Sequence, residues 1–186
     1  MKPLLYLALG LLVVGCKKDA PEAGLPPATQ VGANTGGCLI NGERFVATGW
    51  GSNNILSNAV PALFGGFAFD SVYYVQLAGN YKGNNAYIML FMRPLTTPGT
   101  CLLNKNTQYY PQGSPLRISS HATFQLQDGG EIYVTDAQHQ GQVVMTRAEL
   151  INGVGIGAGT FEFTAASKRD PSKTVSITSG RFDRQQ

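Results

Sequence analysis

Cys16 is the residue whose chemistry the sequence predicts most directly. It follows residues 4–14, an uncharged and mostly apolar stretch that comes after the single charge of Lys2. The motif Val-Val-Gly-Cys at residues 13–16 resembles a lipobox, in which the Cys thiol receives a diacylglyceryl group before the chain is cut in front of it. We therefore predict that residues 1–15 are a lipoprotein signal peptide and that Cys16 is the lipidation site.

The signal segment is too short to be a permanent membrane span. As a helix, residues 4–14 would extend about 16 Å, roughly half of a hydrocarbon core. Each buried CH₂ of an acyl chain contributes about 0.8 kcal/mol, so several chains on Cys16 would anchor the protein permanently. The membrane is therefore a predicted partner. The expected location is the cell envelope, at the outer membrane or the cell surface.

The other two cysteines, Cys38 and Cys101, form an even pair in a compartment that permits disulfides. A bridge between them would close a loop of about 64 residues and stabilise the fold by roughly 4 kcal/mol in the chain-entropy model. We predict this disulfide. The alternative is a thiol nucleophile or a metal site that uses Cys38 or Cys101 together with a histidine.

Neither alternative has supporting spacing around the two histidines, His121 and His139. The chain contains no CxxC, no HExxH and no His pair at positions i and i+4, and the GxSxG pattern of serine hydrolases is also missing. We therefore predict no metal, no cofactor and no catalytic residue, and we place both histidines at the surface. An envelope hydrolase with a pair of carboxylates stays open as an alternative.

The charge balance argues against nucleic acid as a partner. The chain has 14 Lys and Arg against 11 Asp and Glu, a formal net charge of +3. Its basic residues occur in runs no longer than two, at residues 17–18 and 168–169. A protein that binds a phosphate backbone normally concentrates its positive charge much more strongly.

Composition divides the rest of the chain into a tether and one domain. Residues 16–36 are rich in Pro, Ala, Gly and Thr without hydrophobic periodicity, which predicts a flexible tether. Residues 37–186 contain recurring apolar alternation, and we predict that they form a single domain.

Two segments carry a resemblance to a known family. LPPATQVGANTGGCLING at residues 25–42 resembles the opening of a family of uncharacterised Bacteroidota lipoproteins, a domain of unknown function. GTFEFTA at residues 159–165 and VSITSGRFD at residues 175–183 resemble its closing hairpin. The resemblance implies a whole-chain match, but it implies no activity or site residues.

The domain reads as a series of short strands. Asn41-Gly42 between two apolar stretches predicts a hairpin with a type I′ turn. Further strands are expected on both sides of residues 81–85 and 128–130, at residues 143–147, and near the C-terminus at residues 160–164 and 174–178. We predict an all-β fold of eight to ten antiparallel strands in a two-sheet sandwich, with a small barrel as the alternative.

Aromatic residues are the remaining candidates for binding. Trp50, Tyr109 and Tyr110 lie outside the clearest strands, where their rings could stack on a sugar or pack against a protein partner. Cross-strand packing is the structural alternative for the aromatic residues in general. We predict a non-catalytic binding or accessory module of the envelope that takes a glycan or a protein partner. A structural or assembly role is the second alternative.

Overall fold

The computed structural model describes residues 22–51, 59–68, 72–93, 98–114, 117–127, 130–151 and 154–186. No helix in these ranges is long and apolar enough to cross a membrane. The predicted signal peptide and Cys16 lie outside the described residues. The described part of the chain contains eleven strands, which are β1 (Thr35–Ile40), β2 (Glu43–Val46), β3 (Leu63–Ala68), β4 (Val72–Tyr81), β5 (Asn84–Met92), β6 (Gly99–Leu103), β7 (His121–Leu126), β8 (Ile132–Val134), β9 (Gly141–Ile151), β10 (Val154–Ser167) and β11 (Thr174–Gln185).

Two-residue turns join two pairs of neighbouring strands. Asn41 and Gly42, between β1 and β2, have φ angles of 50° and 80°, both left-handed as in a type I′ turn. Lys82 and Gly83 have φ angles of 51° and 84° and join β4 to β5 in the same way. The Asn-Gly hairpin is confirmed. The second hairpin is also present, but its turn is shorter than the predicted turn over residues 81–85.

The described strands form one antiparallel, hydrogen-bonded sheet that forks at β10. The main path runs in the order β2-β1-β11-β10-β8-β7-β5-β4-β3, while β9 and β6 branch from it. The fork arises because β10 has 14 residues, of which residues 154–163 pair with β9 and residues 166–167 pair with β8. The all-β antiparallel class is confirmed. The two-sheet sandwich is not confirmed, because the long strand connects both branches.

The sheet curls into a half-barrel around the hydrophobic core. The backbone N–H groups of Thr48 and Gly49, just after β2, donate to the carbonyl of Ala78 on β4 at 3.0 and 2.8 Å. The hydroxyl of Tyr81 on β4 donates to the carbonyl of Ile40 on β1 at 3.2 Å. The two ends of the main path therefore approach each other. Large side chains that are fully buried inside the curl include Phe45, Leu77, Leu90, Met145 and Phe182.

Residues 22–34, which we assigned to a flexible tether, pack against the domain. At the start of this segment, Glu22 forms an ion pair with Arg181 at 3.0 Å. Farther along, the carboxylate of Asp183 on β11 accepts four hydrogen bonds, from the hydroxyl of Thr29 and the backbone N–H groups of Val31, Gly32 and Ala33. The Pro- and Gly-rich composition did not show this, because the acceptor lies about 150 residues away in the chain.

The predicted disulfide is absent, since Cys38 and Cys101 are both buried free thiols. Cys38 lies on β1, fully buried in the core. Cys101 lies on β6, where its thiol donates to the hydroxyl of Ser120 at 3.1 Å. Cysteine count and compartment favour a bridge only if the fold brings the two side chains face to face, and β1 and β6 are not neighbours in the sheet.

We expect both thiols to be unreactive in the folded chain and reactive after unfolding. Burial shields them from solvent and also raises the pKa of the Cys38 thiol. In a Cys16→Ser variant without reductant, a colorimetric thiol reagent should detect no fast-reacting thiol before denaturant is added and two afterwards. If no thiol appears after unfolding, Cys38 and Cys101 are bridged in the protein.

Candidate ligand-binding face

The surface with the most features of a binding site is the convex side of β4 and β5. On β5, the side chains of Ile88, Leu90 and Met92 are fully buried in the core, so the alternate side chains of the strand point to the opposite side. The β4 residues paired with these outward-pointing residues of β5 have their side chains on the same side of the sheet. This side of the sheet, called the outer face below, consists of Tyr74, Gln76 and Tyr87, which are partly exposed, and of Met89 and Phe91, which are buried.

The connection between β6 and β7 folds over one end of the outer face. The Tyr110 ring lies 5.6 Å from the Phe91 ring and 5.4 Å from the Tyr74 ring, measured between centroids. Ile118 packs into the same small cluster together with Val72. This connection therefore fixes an aromatic group at the end of the face nearest to the start of β7.

Trp50 occupies the other end of the outer face. Its ring packs edge to face on Tyr87 with a centroid distance of 4.7 Å. Its backbone is held in a two-way bridge with Val60, with N···O distances of 3.0 and 2.7 Å. Trp50 is partly exposed, so its indole is fixed from below and still reaches solvent.

The structure brings two of the three predicted binding residues onto one surface. Trp50 contacts Tyr87 and Tyr110 contacts Phe91, and these two residues share one side of β5. Their Cα atoms are about 13 Å apart along the strand. Tyr109 is separate from this surface, because it lines a small cleft with Thr107, Gln108, Gln112 and Lys168.

Phe64 on β3 extends the aromatic surface and was missed by the sequence analysis. Its side chain is 52% exposed and packs edge to face on Tyr74 at 6.3 Å. Phe64 lies directly opposite Gln76 in the β3–β4 pairing, so it belongs to the same side of the sheet. Phe64 precedes two glycines, a sequence that does not predict a strand. Its position on this face becomes clear only from the pairing of β3 with β4.

Polar groups lie between these aromatic rings. Gln76 is partly exposed at the middle of the face, and Gln125 on β7 lies directly opposite Tyr87. Burial raises the pKa values of the Tyr74 and Tyr87 hydroxyls above the ordinary value, and Tyr110 adds to this effect at Tyr74. Both hydroxyls are therefore protonated at neutral pH and can donate as well as accept hydrogen bonds.

His121 lies beside Phe91 on the same side of the sheet, covered by the β6–β7 connection and not at the surface, where we predicted it. Its side chain is fully buried and stacks on Phe91 at 5.1 Å. Its Nε2 accepts a hydrogen bond from the backbone N–H of Tyr110, and its Nδ1 contacts the carbonyl of Ser119, both at 2.9 Å. The prediction was wrong because the β6–β7 connection covers the start of β7, and nothing in the sequence around His121 indicates this contact. His139 is partly exposed and contacts Asp136.

A separate groove of about 400 Å³ bears on the alternative of a carboxylate-pair hydrolase. Glu22 and Glu162 both line it, but Glu22 binds Ser179 and Arg181 while Glu162 accepts from Gln142. The hydrogen bonds from Ser179 and Arg181 lower the pKa of Glu22, whereas a general acid needs a raised pKa. Glu22 is therefore not suited to be the general acid of such a pair.

The described residues contain no group of three or more His, Cys, Asp or Glu side chains that could hold a metal ion. Comparisons with protein-family models, curated proteins and solved structures find no match to this chain. The geometry of the outer face is therefore the basis for the functional conclusion.

Proposed function

We propose that this protein is a lipid-anchored module of the cell envelope whose outer face binds a glycan chain. The observation that carries the proposal is the position of Trp50 and Tyr110, two partly exposed aromatic residues fixed at opposite ends of one sheet face. Rings held by strand packing lose little conformational entropy when a ligand stacks on them. Tyr87 and Phe91, on which these two rings pack, are about 13 Å apart along β5, a span that suits an extended chain better than a single sugar.

The chemistry of the outer face matches the chemistry of sugars. A sugar ring has an apolar C–H side and a rim of hydroxyl groups. Trp50 and Phe64 offer apolar rings, while the tyrosines combine a ring with a hydroxyl. Gln76 offers an amide that can donate and accept between them. No residue of the outer face is charged, which favours a hydroxyl-rich ligand over a protein partner that is recognised through ion pairs.

Lipid on Cys16 would hold this face at the outer membrane or the cell surface. Several acyl chains anchor a protein effectively permanently, so the module would stay close to the glycans that reach the envelope. Residues 22–34 pack on the domain, and the link to the membrane would therefore be the chain that precedes Glu22.

Replacing Trp50 or Phe64 by Ala should weaken glycan binding by about tenfold or more, because each change removes a stacking platform. Trp50 is the only tryptophan, so its fluorescence reports directly on this face. We would titrate the wild type with neutral plant and envelope polysaccharides and follow the tryptophan emission. Binding of the variants would be measured by affinity electrophoresis.

Tyr109→Ala is the matched control, because Tyr109 is a partly exposed aromatic that lines a different cleft. This variant should bind glycans as the wild type does, and thermal unfolding of all variants would show that they are folded. A wild type whose tryptophan emission responds to no polysaccharide in the panel, or a Trp50→Ala variant that binds unchanged, would contradict the proposal.

A further inference from the structure

A second groove, of about 680 Å³, lies between β6 and the segment that leads into β7. Three cationic residues line it, Arg93 at the end of β5, Lys105 after β6 and Arg117 before β7. Thr100, Asn104 and Ser119 add neutral polar groups, and none of the described residues that line the groove is Asp or Glu. Its chemistry therefore differs from that of the uncharged outer face.

The floor of this groove is tied together by the hydroxyl of Ser120. This hydroxyl donates to the carbonyl of Arg93 at 2.8 Å and accepts from the backbone N–H of Arg93 at 2.9 Å. It also accepts from the thiol of Cys101 at 3.1 Å. One buried hydroxyl thus joins the end of β5, β6 and the start of β7, and it fixes the backbone of Arg93 at the floor of the groove.

Two cationic residues of this groove have no carboxylate partner among the described residues. Elsewhere in the structure, Lys82, Arg147 and Arg181 each pair with a glutamate. Lys105 and Arg117 are both exposed, and neither forms an ion pair with a residue that the structure describes. A concave surface with charges of one sign concentrates ligands of the opposite sign.

The groove adjoins the outer face. Ile118 lines the groove and also belongs to the small cluster that contains Phe91 and Met89 of the outer face. The next residue in the chain, Arg117, is one of the cations of the groove. A polymer that lies along the outer face toward Tyr110 would therefore reach the cationic groove with its next units.

The geometry points to this groove as the subsite for a carboxylate group carried by the bound glycan, which makes an acidic polysaccharide containing uronic acid the ligand class. This inference rests on the proposed function and specifies its ligand. Arg117 is of the residue type best suited to a carboxylate, because a guanidinium can donate two parallel hydrogen bonds to its two oxygens. Lys105 adds a mobile point charge at the rim.

The test compares polygalacturonate with its fully methyl-esterified form, which keeps the sugar backbone and removes the charge. Wild type should bind the acid about tenfold or more tightly than the ester at physiological salt, because the charged groups meet complementary cations. A Lys105→Glu/Arg117→Glu double variant should lose this preference and bind the ester as before. Calorimetric titration measures the affinity of each protein for the acid and for the ester.

The matched control is Lys82→Glu/Lys173→Glu, which makes the same change in net charge at two lysines that are 56% and 58% exposed. It should keep the preference for the acid. If the acid binds no more tightly than the ester, or if both double variants lose binding equally, the carboxylate subsite is wrong while the glycan-binding face stands. If instead the outer face does not bind glycan, the Trp50→Ala variant would bind the neutral ester as tightly as the wild type does. The two failures can therefore be distinguished.

Discussion

Replacing Asp183 by Ala is expected to destabilise the domain by about 3 kcal/mol or more, because it removes the charged acceptor of four part-buried hydrogen bonds. Asp183 is 1% exposed on β11. Its carboxylate accepts from the Thr29 hydroxyl at 2.6 Å and from the backbone N–H groups of Val31, Gly32 and Ala33 at 2.9, 2.7 and 3.1 Å. The same change should release residues 22–34 from the domain.

Two measurements separate these effects. Urea unfolding gives the loss of stability, and hydrogen exchange reports on the amides of Val31, Gly32 and Ala33, which should be protected in the wild type and exchange rapidly in the variant. Thr29→Val is the graded control, since it removes one donor and keeps the carboxylate. It should cost about 1 kcal/mol. An Asp183→Ala variant as stable as the wild type would show that the segment is not held by this carboxylate.

The Asp183 contacts also predict a dependence on pH. Burial raises the pKa of this carboxyl, but the hydrogen bonds from Thr29 and the three backbone N–H groups outweigh burial and lower the pKa below the ordinary value. The stabilisation is therefore complete above about pH 4 and is lost as the pH falls through the lowered pKa. Asp183→Asn, which cannot titrate, should be less stable near neutral pH and should lack this part of the acid-induced loss.

The local features of this fold were accessible from the sequence, whereas the features made by distant segments were not. The Asn41-Gly42 hairpin is encoded within a few residues, because the pair favours the left-handed backbone that the turn requires. The partners of β10 are not encoded locally, and a strand of 14 residues can serve two neighbours on one edge. Alternation alone therefore predicted the strand class but not the forked sheet.

The candidate sites follow the same rule. Trp50 and Tyr110 could be selected as aromatic residues outside the clearest strands, but only the pairing of β4 with β5 puts their contacts on one face. The cationic groove is formed by Arg93, Lys105 and Arg117, which are well separated in the chain. A search for runs of basic residues cannot find such a groove, since its charges meet only through the packing of β6 against the start of β7.

Burial of a neutral histidine is the second feature with a large expected effect on stability. The carbonyl of Ser119 can only accept, so the Nδ1 of His121 carries the hydrogen, and its Nε2 is free to accept from the N–H of Tyr110. Protonation at Nε2 would place two N–H groups against each other. The neighbours in contact with the ring are Phe91, Tyr110 and Ser119, and none of them carries a carboxylate that could stabilise an imidazolium.

Burial lowers the pKa of His121 to about 4 in the folded chain, from an ordinary value of 6.5. Because the unfolded chain binds the proton first, the stabilisation is complete above pH 6.5 and is lost as the pH falls toward 4. We expect the free energy of unfolding to drop by about 2 to 3 kcal/mol between pH 6.5 and 4.5. Titration of the other groups is common to the wild type and its histidine variants, so the difference between their slopes reports on the histidine.

The control is the second histidine, which is partly exposed. Urea unfolding at a series of pH values should give nearly the wild-type slope for His139→Gln and a much flatter one for His121→Gln, whose amide can still accept from the Tyr110 N–H but does not titrate. The protection factor of the Tyr110 backbone amide against hydrogen exchange should decrease as the pH falls in the wild type only. Equal slopes for wild type and His121→Gln would mean that His121 is not the buried neutral group, and that the β6–β7 connection is held over the outer face by its apolar contacts alone.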